Sequence, residues 1–193
     1  MTELFGTKIW QFDLLQHVKQ GELDKLAHRV IANLQDEQIR KSNQGRSLRT
    51  KDNFLDGSLD KDPVGLQTIN CYKTALVDYD YTAVKMKFSY WGIATYSGGY
   101  NMRHLHPDSL LSGVLYLSAP TGSGRLRLVD PRVAKKMETQ VGRNQESQSH
   151  KDWMITPKDG LLVVFPSWLE HEVEVSQELV SPRIIMSFNM SIN

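Results

Sequence analysis

Three histidines and one aspartate in this sequence have spacings that suit a metal site. The run His104-Leu105-His106-Pro107-Asp108 places potential ligands at i, i+2 and i+4. In an extended segment those side chains share one face. With a distant His, two of them could build a 2-His-1-carboxylate facial triad, which leaves three cis positions of Fe(II) open for a cosubstrate and dioxygen. The same pentapeptide also fits a polar turn entering a strand. The distant residue is His171. In Glu170-His171-Glu172-Val173-Glu174-Val175 the three glutamates share a face that must meet water, so His171, Val173 and Val175 face inward. There His171 is either a ligand or a core histidine held by a backbone carbonyl. Near the C-terminus, Arg183, Ile185, Ser187, Asn189 and Ser191 alternate with Ile184, Met186, Phe188, Met190 and Ile192. The apolar set must be buried, so the polar set faces either solvent or a wet pocket. On a pocket wall the Arg183 fork and the Ser187 hydroxyl suit a carboxylate.

The elements that must position these residues follow from periodicity. Ile9 to Leu14 reads as a short edge strand. Leu14, Leu15, Val18, Leu23, Leu26, Val30, Ile31 and Leu34 recur at helical spacing, interrupted by Gly21, which predicts one bent helix or two short ones. Gln35 to Pro63 is polar and reads as irregular, and Val64 to Tyr79 as a second helix with Leu66, Ile69, Tyr72, Leu76 and Tyr79 on one side. After Tyr81 strands take over. Val84, Met86, Phe88, Tyr90 and Gly92 alternate with Lys85, Lys87, Ser89 and Trp91, and Tyr96 to Tyr100 then reads as a turn. Gly113 to Leu117 is a strand, with Arg125 to Val129 as its expected hairpin partner across the Ala119–Gly124 turn. Val133 to Lys158 is polar and suits a lid; Leu161–Phe165, Glu172–Ser176 and Arg183–Ile192 read as strands. Helices followed by evenly spaced short strands predict an α+β chain built on a double-stranded β-helix, or jelly roll, with N-terminal buttressing helices. The expected organisation is a single domain over 1–193, helical and irregular over 1–80 and jelly roll over 81–193.

The 193 residues carry 23 Lys and Arg against 22 Asp and Glu, a net charge of +1. That balance gives no electrostatic footprint for nucleic acid and no polybasic attraction to a membrane. With one cysteine, Cys71, no intramolecular disulfide or cysteine-built zinc site can form. The first residues lack a basic region followed by an apolar run, and no stretch approaches the roughly 18 apolar residues of a span. The expected location is cytoplasmic, and the apolar N-terminal segment is available for a homodimer interface.

In this order the pieces resemble the 2-oxoglutarate- and Fe(II)-dependent oxygenases of the prolyl-hydroxylase-like kind. The likeness runs from Tyr96-Ser97-Gly98-Gly99 through His106-Pro107-Asp108 as the His-x-Asp, Ser112 to Leu117, and Gly124-Arg125-Leu126-Arg127-Leu128. It continues through Asp159 to Phe165, then His171-Glu172-Val173, and Arg183 twelve residues later. His104 to Leu117 is similar to a small branch of such oxygenases from bacteria and cyanophages, which for a phage-encoded member means the host cytoplasm. Two registers compete. His106, Asp108 and His171 give the standard triad. The pattern Arg-His-x-Asp also aligns onto Arg103-His104-Leu105-His106, which puts His106 in the carboxylate position and yields His104, His106 and His171. The first is preferred, because a carboxylate lowers the site's charge, although Pro107 removes a ladder N–H.

The resemblance implies Fe(II) and 2-oxoglutarate as cofactors, Arg183 as the ion pair of the cosubstrate's far carboxylate, Tyr116 as a hydroxyl donor to it and Ser187 as an assistant. No catalytic residue beyond the metal ligands is implied. The implied activity is hydroxylation of a substrate C–H bond with release of succinate and carbon dioxide. The substrate, a protein side chain or a small molecule, is not named by the sequence. A cupin-like three-histidine metal protein and a catalytically silent jelly-roll binding module are the alternatives.

Overall fold

The structure is a computed structural model and describes residues 6–35, 44–55, 58–82, 85–132, 134 and 152–192. The strands are β1 (Trp10–Asp13), β2 (Leu34–Gln35), β3 (Gln44–Thr50), β4 (Met86–His104), β5 (Leu111–Ser118), β6 (Leu126–Leu128), β7 (Trp153–Ile155), β8 (Leu161–Pro166), β9 (His171–Val173) and β10 (Arg183–Ile192). The helices are α1 (Gln20–Ala32) and α2 (Pro63–Asp78), with one-turn 3₁₀ helices at Leu14–Gln16 and Leu59–Lys61.

All strand pairs are antiparallel, in the order β1-β8-β5-β10-β4-β9-β6-β7, and β3 joins the side of β4. The sheet curls into a double-stranded β-helix. β4 is shared between its two layers: residues 86–95 pair with β10, whereas Asn101 and His104 pair with Val173 and His171 of β9. The outer layer of helices lies on the larger sheet. α1 packs on β4, β5 and β10, and α2 on β8.

Each helix has a local reason to form where it does. In α1, Leu23, Leu26, Ala27 and Val30 are buried at the i, i+3, i+4, i+7 spacing of one face. Gly21 falls in its first turn, so the sequence break marks a helix start. α2 starts with Pro63 at a position that needs no N–H, and Asp62 caps it by accepting from the Val64 and Gly65 amides. Its buried face is Val64, Thr68, Cys71, Tyr72, Ala75 and Leu76, while Leu66 is exposed. The helix-to-sheet core contains Leu14, Leu115, Met186, Phe188 and Met190. Burying side chains of this size contributes about 1.5–3 kcal/mol each.

Several expectations are corrected. Tyr96 to Tyr100 is not a turn: β4 runs through it as a bulge, with residues 96–99 passed over in the β3 register and Gly98 at φ 78°. Within Gln35–Pro63, residues 44–50 form a strand, because they find partners along Ile93–Asn101. Thus the part before residue 80 supplies β1 and β3 to the same sheet. The stretch after Gly124 does not hairpin with β5. β6 pairs with β9 and β7, while β5 lies between β10 and β8. β9 is shorter than expected, and Val175 beyond it is exposed. The lid expected over Val133–Lys158 lies largely outside the described residues. Trp153–Ile155 near its end forms β7.

Close approach of α1 to the sheet rests on Gly92. A Cβ there would stand 2.6 and 2.7 Å from the two Val30 methyl groups, and Val30 is fully buried. Gly92→Ala is therefore expected to cost about 1–3 kcal/mol, or roughly 2–4 °C of Tm per kcal/mol for a chain of this size. In the double variant Gly92→Ala/Val30→Ala the loss should be smaller than the sum of the two single losses. Gly21→Ala, with nothing within 4 Å of the new Cβ, should leave Tm unchanged or raise it. Thermal unfolding followed by circular dichroism measures all four.

Candidate metal centre and cosubstrate pocket

Between the two layers lies a cavity of about 390 Å³. Its floor is the inner face of the larger sheet. β4 contributes Ser89, Trp91, Ile93 and Thr95; β10 contributes Arg183, Ile185, Ser187 and Asn189. Alternation along two antiparallel strands in register, with Thr95 opposite Arg183 and Trp91 opposite Ser187, brings these side chains to one side. The alternate residues Ile184, Met186, Phe188 and Met190 pack into the helix-facing core.

At the mouth of the cavity three imidazoles converge. His104 ends β4 and His171 begins β9, and the two are register partners, so their rings lie 4.2 Å apart. His106 follows two residues later, its amide donating to the Ser167 carbonyl at 3.0 Å. One nitrogen from each ring falls within 4.8 Å of the others, and His106 Nε2 lies 3.2 Å from His171 Nε2. Each outer ring is oriented by a backbone carbonyl: His171 Nδ1–H donates to Leu169 at 2.9 Å and His104 Nδ1–H to Met102 at 2.7 Å. Those bonds place the lone pairs of both on Nε2. Burial disfavours the charged imidazolium throughout. It lowers the His104 pKa; that of His106 falls to about 4 and that of His171 to about 3, with His104's proximity adding to both. Three neutral imidazoles, two with Nε2 lone pairs fixed and the third with its Nε2 against His171, fit a divalent transition-metal ion.

Asp108 does not join them. Pro107 and Asp108 form a turn, Asp108 has a φ of 63° and its side chain is exposed. The expected face-sharing of 104, 106 and 108 holds only while the chain stays extended, and the strand ends at His104. The fold thus gathers His104, His106 and His171, the second of the two registers, and places Asp108 outside the cluster.

Deeper in the cavity Arg183 is 3 % exposed. Its Nη1 donates to the Gly124 carbonyl at 3.0 Å and its Nη2 to Thr95 Oγ1 at 3.2 Å, while Nε is buried with no partner. Among the described residues no carboxylate pairs with it. Burial lowers its pKa, an effect Tyr116 opposes. Tyr116, also buried and lining the cavity, has its phenol pushed up to about 12, chiefly by burial. A buried guanidinium without a counter-ion is costly unless an anion reaches it. A dicarboxylate spanning from the histidines to Arg183, past Tyr116 and Ser187, fits that requirement.

The sequence reading passed over Ser47, Arg49, Trp91, Thr95 and Asn101, all of which line the cavity. For Trp91 a signal existed: it is the large apolar member of the otherwise polar phase Lys85, Lys87, Ser89.

The double-stranded β-helix and this donor set define a metal-dependent oxygenase architecture. A family model described as "Putative 2OG-Fe(II) oxygenase" matches residues 89–189, more than half of the chain, and the chain belongs to this family. Fe(II) and 2-oxoglutarate are the family's cofactors and those of this chain. No curated protein matches. Among solved structures, the fold is similar to a Pseudomonas putida prolyl-4-hydroxylase (17% identity, 97% of this chain and 94% of that one, TM-score 0.67). It is also similar to an oxidoreductase of the 2OG-Fe(II) oxygenase family from Burkholderia pseudomallei (13%, 95% and 84%, 0.64). A third is HygX from Streptomyces hygroscopicus with nickel and 2-oxoglutarate bound (11%, 96% and 83%, 0.58).

Gly124 carries the carbonyl that holds Arg183, and a Cβ there would fall 1.9 Å from the Glu174 carbonyl oxygen. Neither backbone can yield without moving the approach to β6 or the segment after β9. Gly124→Ala is expected to destabilise by about 1–3 kcal/mol or more, measured by urea denaturation, with Arg125→Ala, an exposed neighbour, as the near-neutral control.

Proposed function

We propose that this oxygenase hydroxylates a C–H bond of its substrate and releases succinate and carbon dioxide, with His104, His106 and His171 holding Fe(II) and with Arg183, Tyr116 and Ser187 holding 2-oxoglutarate. The observation that carries the reading is the pairing, in one cavity, of three neutral converging imidazoles with a buried guanidinium that lacks a carboxylate. When bound, Fe(II) and 2-oxoglutarate supply the oxidising power drawn from dioxygen. The chain's own part is positional. Leu169 and Met102 carbonyls fix the tautomers of His171 and His104, so the Nε2 lone pairs are aimed before any ligand arrives. Arg183, held by Gly124 and Thr95, has further N–H donors, the unpartnered Nε among them, for the far carboxylate. Tyr116 stays a neutral phenol at physiological pH and can donate its proton in a hydrogen bond. Ile93, Val114, Phe165 and Ile185 form the apolar packing around these groups and exclude water.

We take residues 1–193 as one oxygenase domain, because β1 and β3 complete the sheet that carries the site. A single buried thiol, Cys71, supports a reducing, cytoplasmic setting. No helix among the described residues is long and apolar enough to cross a membrane.

A second reading, a cupin-like metal protein that uses no 2-oxoglutarate, is favoured by the all-histidine donor set; it leaves Arg183 without a purpose. Isothermal titration of 2-oxoglutarate into Mn(II)-loaded anaerobic protein separates the two, and succinate release under air with Fe(II) completes the test. Binding and succinate are the expected outcomes; Mn(II) binding with no 2-oxoglutarate affinity would favour the cupin-like reading, and no Mn(II) binding would leave a silent module.

Two variant sets follow. His171→Ala and His104→Ala should each abolish tight Mn(II) binding, whereas Asp108→Ala should leave it unchanged in the same titration. Loss on Asp108→Ala with retention on His104→Ala would reject the three-histidine set. Arg183→Met should keep Mn(II) but lose roughly 2–5 kcal/mol of 2-oxoglutarate binding, the cost of removing one partner of a buried charge pair. That corresponds to about 30- to 4,000-fold in affinity.

A further inference from the structure

The cavity contains a second arginine, outside the groups proposed to hold the cofactors. Arg49, on β3, is 7 % exposed; its guanidinium stacks 4.4 Å over the Trp91 ring and pairs with Asp52. Trp91 in turn lies 6.4 Å from His106, ring to ring. Arg49 and Asp52 both line the cavity, on the β3 side, whereas Arg183 enters from β10. The segment that carries them is pinned to the strand that carries Trp91. Thr50 Oγ1 accepts from the Gly92 amide at 3.0 Å. Asn53 donates its own amide to the Tyr90 carbonyl at 2.7 Å, and its side chain accepts from the Tyr90 amide at 3.1 Å.

We propose that Arg49, Asp52 and Trp91 form the substrate subsite and that its ligand is a free α-amino acid, whose carboxylate meets Arg49, whose ammonium meets Asp52 and whose side chain crosses Trp91 towards the histidines. The inference rests on the oxygenase reading above. Charge decides the class. A simple anion would have to take Arg49 from Asp52 and sit beside that carboxylate. A zwitterion satisfies both groups at once and keeps the pair neutral. Size points the same way. About 390 Å³ is near the lower end of ligand pockets, roughly 300–1,000 Å³, and 2-oxoglutarate occupies part of it. Two more buried polar atoms on the cavity wall, Trp91 Nε1 and Asn101 Oδ1, have no hydrogen-bond partner, a donor and an acceptor that a polar ligand can engage.

The test uses the full chain loaded with Mn(II) and 2-oxoglutarate without oxygen. The probes are the twenty proteinogenic L-amino acids, each beside the carboxylic acid that lacks its α-amino group, read by thermal shift and then by isothermal titration. The expected result is that at least one amino acid binds, about tenfold or more tighter than its deaminated acid, because like charges set side by side are costly. Arg49→Gln should weaken that amino acid at least about 30-fold while 2-oxoglutarate affinity stays within about twofold. Asp52→Asn, at a half-exposed position that tolerates exchange, should erase the preference for the amino acid over the acid. The proposal is overturned if the loaded wild-type protein binds none of the twenty, if the acid binds as tightly as the amino acid, or if Arg49→Gln loses 2-oxoglutarate instead. Failure of the wild type to take up Mn(II) and 2-oxoglutarate would overturn the oxygenase reading itself, and this proposal with it.

Discussion

β4 has to satisfy its backbone hydrogen bonds in both layers of the β-helix. Its first ten residues pair with β10 on one side, and Ile93 to Thr95 also pair with β3 on the other, while its end pairs with β9. The strand must therefore bend between Thr95 and Asn101, and Gly98 and Gly99 make the bend possible. Gly98 takes a left-handed φ, and a Cβ on Gly99 would sit 2.4 Å from the Thr95 methyl and under 3 Å from two backbone oxygens. This one bend sets the distance between the cavity floor, made by Trp91 to Thr95, and the cavity mouth, where His104 meets His171. The cavity exists because a single strand cannot lie flat in two sheets.

Electrostatics then constrain what can occupy it. Three neutral imidazoles would leave a divalent ion's charge uncompensated by its ligands, and the buried Arg183 guanidinium lines the same cavity. A carboxylate ligand would have removed one unit; with Asp108 turned to solvent that unit is absent. Under the proposed assignment a dianionic cosubstrate would meet both the ion and Arg183, so each would favour binding of the other. In its absence the burial that depresses His106 and His171 also keeps the cluster from charging, which lets the rings approach closely without mutual repulsion.

Much of this was legible in the residues, and the parts that were not share a cause. His171 could be phased because three glutamates mark the wet side of its strand, and Glu172 and Glu174 do make ion pairs with Arg127 and Arg125 across that face. β10 could be phased because ten residues alternate without a break. The ligand run could not, since the choice between His104 and Asp108 turns on where β4 stops, and a His-x-His-Pro-Asp string reads equally well extended or turned. Arg49 was invisible for a different reason. It sits in a polar tract whose only structural cue is a partner strand more than forty residues away, and non-local pairing leaves no local period to count. The paired glycines were legible as an irregularity but not as one that a long strand could absorb.

The matched family segment, residues 89–189, contains His104, His106, Tyr116, His171, Arg183 and Ser187, and it excludes Arg49 and Asp52. Of the residues proposed for the substrate subsite, Trp91 alone falls inside that segment. The groups proposed to hold the ion and the cosubstrate lie on β4, just after it at His106, and on β5, β9 and β10, strands that must keep their mutual register for the β-helix to close. Arg49 lies on β3 and Asp52 just beyond it, and among the described residues β3 joins the main sheet through β4. A fold arranged this way can keep one oxidising chemistry and alter what is presented to it. For this chain the cavity wall near His106 presents the Arg49–Asp52 pair against the Trp91 indole, and under the proposal above those charges, rather than the histidines, would set selectivity for a substrate.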